Sequence, residues 1–468
     1  MTTPTPTDRI AEHAVEAAYD DLPADVLDRL KRHLLDHIGL AIGAREHAGS
    51  SEAIATGIDA LASGGDEATA LATGDRYGAD HAALYNGTFA HSLDFDDTHR
   101  ESSLHPGAPV IPAALAIAER DGATTEEFLA AVSVGYDVAC TLGQAVNPDV
   151  HYDRGFHITA TCGTFGATAA AGKLAGLSVG GLKNALGING SQAAGSLQFL
   201  ANGAWNKRLH PGLAANRAVT AVTLADAGFR GATDPITGTH GFFAAYTDDP
   251  APELFDRLGD HHSVMTTGLK LYPCCRYMHP ALDGLLDLAG EIDPEAVESV
   301  AVELPRPGVR LTGEPIEDKR RPSNFVNCQF SMPYGVALAL TTGEAGLEAF
   351  LRTQDSLEDA PFSRLMDVTT VETTDAVQSL FPDQWAARVT IETTTDTHER
   401  FVKTARGEPE KPLDWAAVID KFESLTTTAG VSDRDTADIV EMVQDLESRS
   451  VPSIVDQLRT AVRQDITA

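Results

Sequence analysis

Residues 22–44, LPADVLDRLKRHLLDHIGLAIGA, establish the helical character of this chain. Apolar side chains recur there every four positions, as expected for one face of an α-helix. These side chains are Val26, Leu30, Leu34 and Ile38. Pro23 stands where the first turn of a helix tolerates proline. The stretch therefore predicts an amphipathic helix with one buried face.

Helical patterns of the same kind cover most of the chain up to residue 265. The segment TTEEFLAAVSVGYDVACTLG opens with Thr124 and Glu127 at the spacing of a capping box. The segments 163–176 and 212–228 are rich in alanine and glycine, whose small side chains allow helices to approach closely. We expect these segments to be neighbouring helices in a buried core.

Beyond about residue 290 the sequence changes to a mixed strand and helix pattern. The segment ESVAVELP, 298–305, alternates apolar residues and ends at a proline, which is typical of a strand. The segment ARVTIETTTDTHERFV, 387–402, predicts a hairpin with a polar turn. Between them, SMPYGVALALTTG and GLEAFLRT predict helices, and the helical pattern returns after Gly407.

These patterns predict a mainly α fold with an α+β insert. The large all-helical domain would comprise residues 1–265 and 405–468, and the smaller α+β lid domain would comprise residues 266–404. The sequence contains no internal repeat of fixed period and no low-complexity tract.

The 468-residue chain carries a strong negative charge, because 35 Lys+Arg against 68 Asp+Glu give a formal net charge of −33. This charge argues against nucleic acid and anionic membranes as partners. Nine of the basic residues are lysine and the others are arginine. High acid content with few lysines is typical of a protein adapted to concentrated salt, where screening weakens self-repulsion. Ordinary acidic solubility is the alternative.

Cysteine usage and the N-terminal sequence predict a soluble protein of the cytoplasm. The five cysteines form no CxxC motif, and their spacing suggests no disulfide framework. The opening MTTPTPTDRI has no apolar signal core. No uninterrupted run of about 18 apolar residues is present to span a bilayer.

The segment HSLDFDDTH, 91–99, concentrates five ionisable side chains in nine positions. They are His91, Asp94, Asp96, Asp97 and His99. A metal site is one interpretation, although neither HxH nor HExxH occurs. Asp96 and Asp97 equally suit the capping of backbone N–H groups at a helix start. Asp94, between Leu93 and Phe95, is the better candidate for a partly buried reactive carboxylate.

Two histidines beyond this segment are candidates for proton transfer. His105, followed by Pro106-Gly107, lies on a predicted loop that could project the imidazole into a cleft. His157 precedes a small-residue helix, whose positive N-terminus lowers the pKa of an imidazole and favours the neutral, basic form. A capping or packing role is the alternative for His157.

Two basic clusters predict contact with an anion. Lys207, Arg208 and His210 lie just before another predicted helix, where an anion site or a solvated basic turn would fit. A second cluster comprises Lys270, Arg276 and His279. Against a net charge of −33, such clusters favour a functional interpretation.

The remaining features are mostly structural. Cys274 and Cys275 are most simply buried small apolar residues. Tyr334 opens an apolar helix as a core aromatic whose hydroxyl is a potential donor. The Walker A motif, the Rossmann fingerprint and the GxSxG elbow do not occur. The sequence thus points to proton transfer beside a carboxylate of a small anionic substrate.

Six motifs, in order and covering nearly the whole chain, resemble the MmgE/PrpD family. They are LPADVLDRLKRHLLDHIGLAIGA, NGTFAHSLDFDDTH, GFHITATCGTFGATAAAGKLAG, NKRLHPGLAANRAVTAVTLADAGF, KLYPCCRYMHPALD and KPLDWAAVIDKFESL. The resemblance implies an all-helical domain with an α+β lid, usually assembled as a homodimer. It also implies that the protein uses no metal and no organic cofactor.

The resemblance further implies a set of site residues. The expected catalytic residues are Asp94, His105, His157, Lys207, Lys270 and Tyr334, and the expected substrate-binding residues are Thr98, Arg276 and His279. His105 or His157 would act as base, with the other histidine or Asp94 as acid. The two lysines would hold substrate carboxylates and stabilise the enolate-like charge that develops.

Members of the family dehydrate, decarboxylate or epimerise carboxylic acids, so the resemblance implies an enzyme that acts on a di- or tricarboxylate. The favoured reaction is that of a 2-methylcitrate dehydratase-like hydro-lyase, with a cis-aconitate decarboxylase-like lyase as the second choice. An isomerase resembling iminodisuccinate epimerase is the main alternative. A non-catalytic ligand-binding relative and a metal enzyme are the others. The expected partner is a small polycarboxylate, without nucleic acid or membrane.

Overall fold

The computed structural model of this chain describes residues 3–62, 64–353 and 357–464. It contains two compact units: Met1–Gly268 with Asp414–Ala468, and Leu269–Leu413. The predicted fold class, mainly α with a smaller α+β part, is confirmed.

The first unit is built mainly from helices. In chain order they are α1 (Pro6–Glu16), α2 (Ala24–His47), α3 (Ser51–Leu61), α4 (Ala79–Ala90), α5 (Gly107–Asp121), α6 (Thr125–Ala145), α7 (Pro148–Asp153), α8 (Ile158–Leu174), α9 (Val179–Asn189), α10 (Asn206–Asp226) and α11 (Phe242–Tyr246), and then α20 (Trp415–Thr428), α21 (Asp433–Gln444) and α22 (Val451–Gln464). Two antiparallel ribbons accompany them: β1 (Ala68–Thr69) with β2 (Arg76–Tyr77), and β3 (Thr98–His99) with β4 (Thr267–Gly268). Each ribbon strand is too short for an alternating pattern to show in the sequence.

Two local predictions for helix starts are confirmed. The stretch at 22–44 forms α2, which begins directly after Pro23 at the N-cap position. Thr124 caps α6, and its reciprocal hydrogen bonds with Glu127 form the predicted capping box.

The prediction that Lys207, Arg208 and His210 precede a helix is wrong. Helix α10 already begins at Asn206, so the three side chains lie on its first turns. Pro211 lies inside this helix and suggested a break, because proline removes one backbone hydrogen bond. The packing of α10 against α4 and α8 outweighs that loss.

Helices α4 and α10 approach closely because glycines meet at their crossing. A Cβ atom added to Gly212 of α10 would lie 2.3 Å from the carbonyl oxygen of Leu84. One added to Gly87 of α4 would lie 2.9 Å from the Cα atom of Gly212. Neither position therefore accepts a larger side chain. The crossing places the start of α10 beside the loop that follows α4.

Helix α6 is long and apolar enough, by length and composition alone, to cross a membrane. Within the structure, 89% of its most apolar window is buried. Its contacts are with α5 and α8 of the first unit. It is therefore a core helix here.

The second unit contains a four-stranded sheet with the strand order β6–β5–β7–β8. The strands are β5 (Val297–Glu303), β6 (Thr369–Glu372), β7 (Ala387–Thr393) and β8 (Thr397–Val402). The predicted strand, β5, and the predicted hairpin, β7 with β8, are confirmed. Strand β6 pairs in parallel with β5 and was not predicted, because its sequence TTVE has no clear alternation of apolar residues.

The helices of the second unit are mostly short. They are α12 (His279–Ala289), α13 (Arg306–Thr312), α14 (Ile316–Lys319), α15 (Phe325–Gln329), α16 (Met332–Thr342), α17 (Leu347–Arg352), α18 (Phe362–Asp367) and α19 (Asp375–Gln378). The predicted helices at 331–343 and 346–353 correspond to α16 and α17. The sheet and these helices enclose an apolar core that includes Cys274 and Cys275. The buried apolar role predicted for both cysteines is confirmed.

A buried ion pair joins α20, in the C-terminal segment of the chain, to α2; both helices belong to the first unit. Lys421 Nζ lies 2.6 Å from Asp36 Oδ1, and both side chains are buried. The same ammonium donates a hydrogen bond of 2.7 Å to the carbonyl oxygen of Phe95 and lies 3.8 Å from the centre of its ring. Burial raises the pKa of Asp36 to about 6, against the opposing attraction of Lys421. The C-terminal segment thus holds the acidic loop in place.

We predict that Lys421→Met lowers the free energy of unfolding by about 3 kcal/mol, because it removes the buried cation that stabilises Asp36 and the Phe95 carbonyl. Chemical denaturation followed by circular dichroism measures the change. Adding Asp36→Leu should recover part of the loss, since the buried charge is then gone.

The matched control is Arg434→Ala, which removes an exposed ion pair with Asp438 on α21. Exposed pairs contribute little, so its effect should stay below about 0.5 kcal/mol. Equal losses in the two single variants would contradict the anchoring role of Lys421.

Candidate active site

The acidic segment 91–99 forms the buried loop that follows α4 and ends in β3, and Asp97 fixes its shape. The Asp97 carboxylate accepts the backbone N–H of Gly107, at 3.1 Å to each oxygen, and so caps the start of α5. The Tyr136 hydroxyl donates to Asp97 Oδ2 at 2.6 Å, and His33 Nδ1 lies 3.2 Å from that oxygen. The capping role predicted here is confirmed for Asp97.

Asp94 has a backbone φ of +52°, in the left-handed region that side chains other than glycine rarely adopt. Its Oδ1 atom accepts a hydrogen bond of 2.7 Å from Lys207 Nζ on the first turn of α10. Strained residues of this kind are enriched at functional sites, where the surrounding structure holds them. Two predicted site residues, Asp94 and Lys207, are therefore in direct contact.

Asp96 lies between two histidines. His91 Nδ1 lies 2.6 Å from Asp96 Oδ2, a short hydrogen bond. His105 Nδ1 lies 3.4 Å from the same oxygen and 2.6 Å from the backbone carbonyl of Asp97. A carbonyl oxygen only accepts, so His105 carries its proton on Nδ1, which makes Nε2 its basic nitrogen.

His157 lies at the N-cap of α8, as predicted, and contacts a fourth histidine. Its Nδ1 lies 3.1 Å from His210 Nδ1 on α10. The ring of His91 lies 5.9 Å from that of His157 and 4.8 Å from that of His105. The four imidazoles therefore form one cluster inside the first unit. We refer to His91, His105, His157 and His210 as the histidine cluster.

Burial keeps two members of the cluster neutral near pH 7. Desolvation lowers the pKa of His157 well below its ordinary value, and the neighbouring His210, His91, Lys207 and His105 lower it further. Desolvation also lowers the pKa of His210, to about 4. Neutral imidazoles can act as bases, which is the protonation state predicted for His157.

Thr98, predicted to bind substrate, lies next to this cluster. Its Oγ1 atom lies 3.5 Å from His105 Nδ1, and its backbone belongs to β3. The backbone N–H of His105 donates to Thr159 Oγ1 on α8 at 3.1 Å. The structure thus brings together five predicted site residues of the first unit. They are Asp94, Thr98, His105, His157 and Lys207.

Three buried side chains in this region offer atoms of the kinds that ligate metal ions. Ligand atoms of His91, Asp96 and His105 all lie within 4.8 Å of one another. However, the 2.6 Å between His91 Nδ1 and Asp96 Oδ2 is shorter than the roughly 3.3 Å that separates two ligands of a tetrahedral zinc ion. The distance fits a shared proton better than a shared metal.

The other predicted site residues belong to the second unit. Lys270 and His279 are buried, and the His279 ring lies 5.1 Å from that of Tyr272. Arg276 Nε donates to Glu408 Oε1 at 2.8 Å. Tyr334 lies in the apolar core, where its hydroxyl donates to the Phe350 carbonyl at 3.2 Å and lies 2.7 Å from Thr353 Oγ1. Their roles toward a substrate stay predictions.

Sequence comparison identifies the family of this chain. The MmgE/PrpD N-terminal domain matches residues 8–254, which include the whole histidine cluster. The chain belongs to the MmgE/PrpD family. The MmgE/PrpD C-terminal domain matches residues 272–447, which extend from the second unit into α20 and α21.

Curated relatives of this MmgE/PrpD protein carry one activity in their names. Cis-aconitate decarboxylase of Aspergillus terreus is 29% identical over 374 residues, 75% of each chain. Cis-aconitate decarboxylase of Mus musculus is 26% identical over 398 residues, 81% of this chain and 80% of the relative. Cis-aconitate decarboxylase of Homo sapiens is 33% identical over a shorter stretch of 181 residues, 37% of each chain.

Two residues of the cluster, His91 and His210, were not among the predicted site residues. His91 belongs to the acidic segment, and His210 to a basic one, so each was visible as part of a pattern. Nothing in the sequence indicates that α4 and α10 cross at Gly87 and Gly212, the crossing that places the start of α10 beside the loop that follows α4. His91 Nε2 is buried and has no hydrogen-bond partner among the residues that the structure describes.

We predict that the free energy of unfolding falls as the pH is lowered from 6.5 toward 4. Burial lowers the pKa of His37, His99, His151 and His210 to about 4 in the folded chain. The unfolded chain, with histidine pKa values of about 6.5, then binds more protons in this interval. This contribution to stability is fully present above pH 6.5 and is lost as the pH falls.

Each of these histidines should lower the free energy of unfolding by about 1.4 kcal/mol per pH unit as the pH falls between 6.5 and 4. Denaturation midpoints at several pH values measure it. The variant His37→Asn, which removes one titrating group, should show a shallower slope. A stability that is constant between pH 6.5 and 4.5 would contradict the prediction.

Proposed function

We propose that this protein is a lyase that decarboxylates a small unsaturated tricarboxylate, with cis-aconitate as the first candidate substrate. The observation that carries the proposal is the cluster of buried imidazoles beside the Lys207–Asp94 pair. Two curated relatives support the choice of decarboxylation. They match 75% and 81% of this chain, and both are named cis-aconitate decarboxylase.

Lys207 is suited to bind a substrate carboxylate. Its ammonium already contacts one carboxylate, that of Asp94, at 2.7 Å. Arg208 on the same turn is buried and donates to Ser50 Oγ at 2.9 Å, so it adds positive charge without facing water. Lys270 of the second unit is the predicted second anchor. In a protein of net charge −33, such local positive charge is needed to attract a polyanion.

The histidine cluster would supply the proton transfer. In a decarboxylation, the bond between carbon and the departing carboxylate breaks, and its electron pair stays in the carbon skeleton as carbon dioxide leaves. A proton must then reach the carbon that receives electron density. His157 and His105 are the candidates to deliver it through Nε2.

Binding itself can load that proton. A neutral His157 is a poor acid, but a bound anion within a few ångströms raises the pKa of an imidazole. The low-dielectric surroundings strengthen this effect. Substrate and proton would therefore enter the site together.

Dehydration and epimerisation would use the same groups differently. Loss of water from a 2-methylcitrate-like hydroxy acid needs a base for the C–H proton and an acid for the departing hydroxide. Epimerisation returns the proton to the same carbon. These reactions are the competing outcomes of the activity assay.

We predict turnover when purified protein, in high salt, is offered cis-aconitate, citrate, 2-methylcitrate and an iminodicarboxylate in separate reactions. Carbon dioxide release with a new alkene in the NMR spectrum identifies the decarboxylase. Loss of water identifies the hydro-lyase, and solvent deuterium at the substrate carbon without either loss identifies the epimerase. Failure of every substrate would overturn the enzyme proposal.

Lys207→Met should reduce kcat/KM on the active substrate by about 100-fold or more, because it removes an interaction with the developing charge. Lys403→Met, at an exposed position of the second unit, is the matched control and should change it less than about twofold. Similar activity in both variants would remove Lys207 from the site.

We also predict that substrate binding takes up about one proton per site near pH 7, because the bound anion raises the pKa of the neutral histidines. Isothermal titration calorimetry in buffers of different ionisation enthalpy measures this uptake with an unreactive tricarboxylate such as tricarballylate. His157→Gln should lower the uptake. Binding with no proton exchange would contradict the loading step.

A further inference from the structure

We propose that His210 is a positioning residue that accepts a hydrogen bond from His157 Nδ1–H and thereby presents His157 Nε2 to the substrate. The inference deepens the proposed function and rests on it for the catalytic consequence. The geometry that carries it is the 3.1 Å distance between the two Nδ1 atoms.

A hydrogen bond between two neutral imidazoles contains one proton. Either His157 donates and His210 accepts, or the reverse. In the first arrangement His157 has its lone pair on Nε2. In the second, Nε2 of His157 carries the proton and cannot act as a base. The direction of this single bond therefore decides which nitrogen of His157 takes part in proton transfer.

The other cluster histidines indicate the direction. His91 Nδ1 faces the carboxylate of Asp96 at 2.6 Å, and His105 Nδ1 faces a backbone carbonyl at 2.6 Å. Both partners are acceptors, so both rings carry a proton on Nδ1. The same arrangement at His157 gives three rings of the cluster that donate through Nδ1.

Neighbouring residues pack against both His157 and His210. The backbone N–H of His157 donates to the Gly195 carbonyl at 2.8 Å, and Gly195 also lies against the His210 ring. A Cβ atom on Gly195 would lie 3.3 Å from His210 Nδ1 and 2.5 Å from the Ala160 side chain. Phe199 lies edge-on to both rings, at 6.3 and 5.9 Å. These contacts pack around both imidazoles.

A neutral acceptor differs from the carboxylate that orients many reactive histidines. A carboxylate would raise the pKa of His157, whereas an imidazole orients the ring without adding negative charge. The ionisable groups that act on His157 are His210, His91, Lys207 and His105, and all of them lower its pKa. The pair thus keeps His157 neutral until a polyanion arrives.

The first test reads the tautomer directly and needs no substrate. In ¹⁵N NMR spectra of histidine-labelled protein at pH 7.5, His157 Nδ1 should show the shift of a protonated nitrogen and Nε2 that of an unprotonated one. The signal is assigned by its loss in His157→Gln. Protonated Nε2 with unprotonated Nδ1 would overturn the proposal whatever the substrate is.

The second test compares substitutions at residue 210 by activity. His210→Asn places an amide oxygen near the former Nδ1 position and should keep kcat within about tenfold. His210→Gln, with the same amide one methylene further out, and His210→Phe should lose about 100-fold in kcat with little change in KM. Equal activity in all three variants would overturn the positioning role.

The third test uses the pH profile. His210→Asp replaces the neutral acceptor by a carboxylate and should shift the acidic limb of the kcat/KM profile upward by about one pH unit or more. An unshifted profile would overturn the proposal, since a purely structural residue would not move it. If no carboxylate is turned over, the proposed function fails, and the NMR result alone decides the direction of the bond.

Discussion

The carboxylate of Asp97 is the contact on which the candidate site depends. It accepts from the start of α5 through Gly107 and from α6 through Tyr136, and it lies beside His33 of α2. Its own backbone carbonyl orients His105. A single buried residue thus fixes the loop, three helices and one imidazole. A buried anion is stable only with such complete hydrogen bonding, so its position is strictly determined.

Although the chain is strongly acidic, the buried carboxylates near Asp97 are compensated by hydrogen-bonding partners. Asp94, Asp36 and Asp97 each have a hydrogen-bonding partner in the buried region. The histidines near them are held neutral by desolvation, as for His157 and His210. Such a preorganised set of side chains, with Lys207 as its cation, is suited to bind a polyanion, because the binding energy is not spent on reorganising water or side chains.

Much of the fold could be predicted because it follows local periodicity. The four-residue repeat of α2 and the alternation of β5 are visible in the sequence. The start of α10 and the parallel strand β6 were missed, because tertiary packing overrides Pro211 and pairs a weakly patterned segment. In the site, Asp94 could be predicted from its apolar flanks. His210 could not, since its partner His157 is 53 residues away and the contact depends on helix crossing.

The helical first unit is discontinuous in the sequence, because α20 follows the whole of the second unit along the chain. Lys421 holds the loop at Phe95 and lies roughly 200 residues beyond His210 in the sequence. At a synthesis rate of about 5–20 residues per second, Lys421 is made ~10–40 s after His210. During that time Asp36 is a carboxylate without its cation. A ribosome-bound chain therefore carries every imidazole of the cluster well before the contact between Lys421 and Phe95 can form.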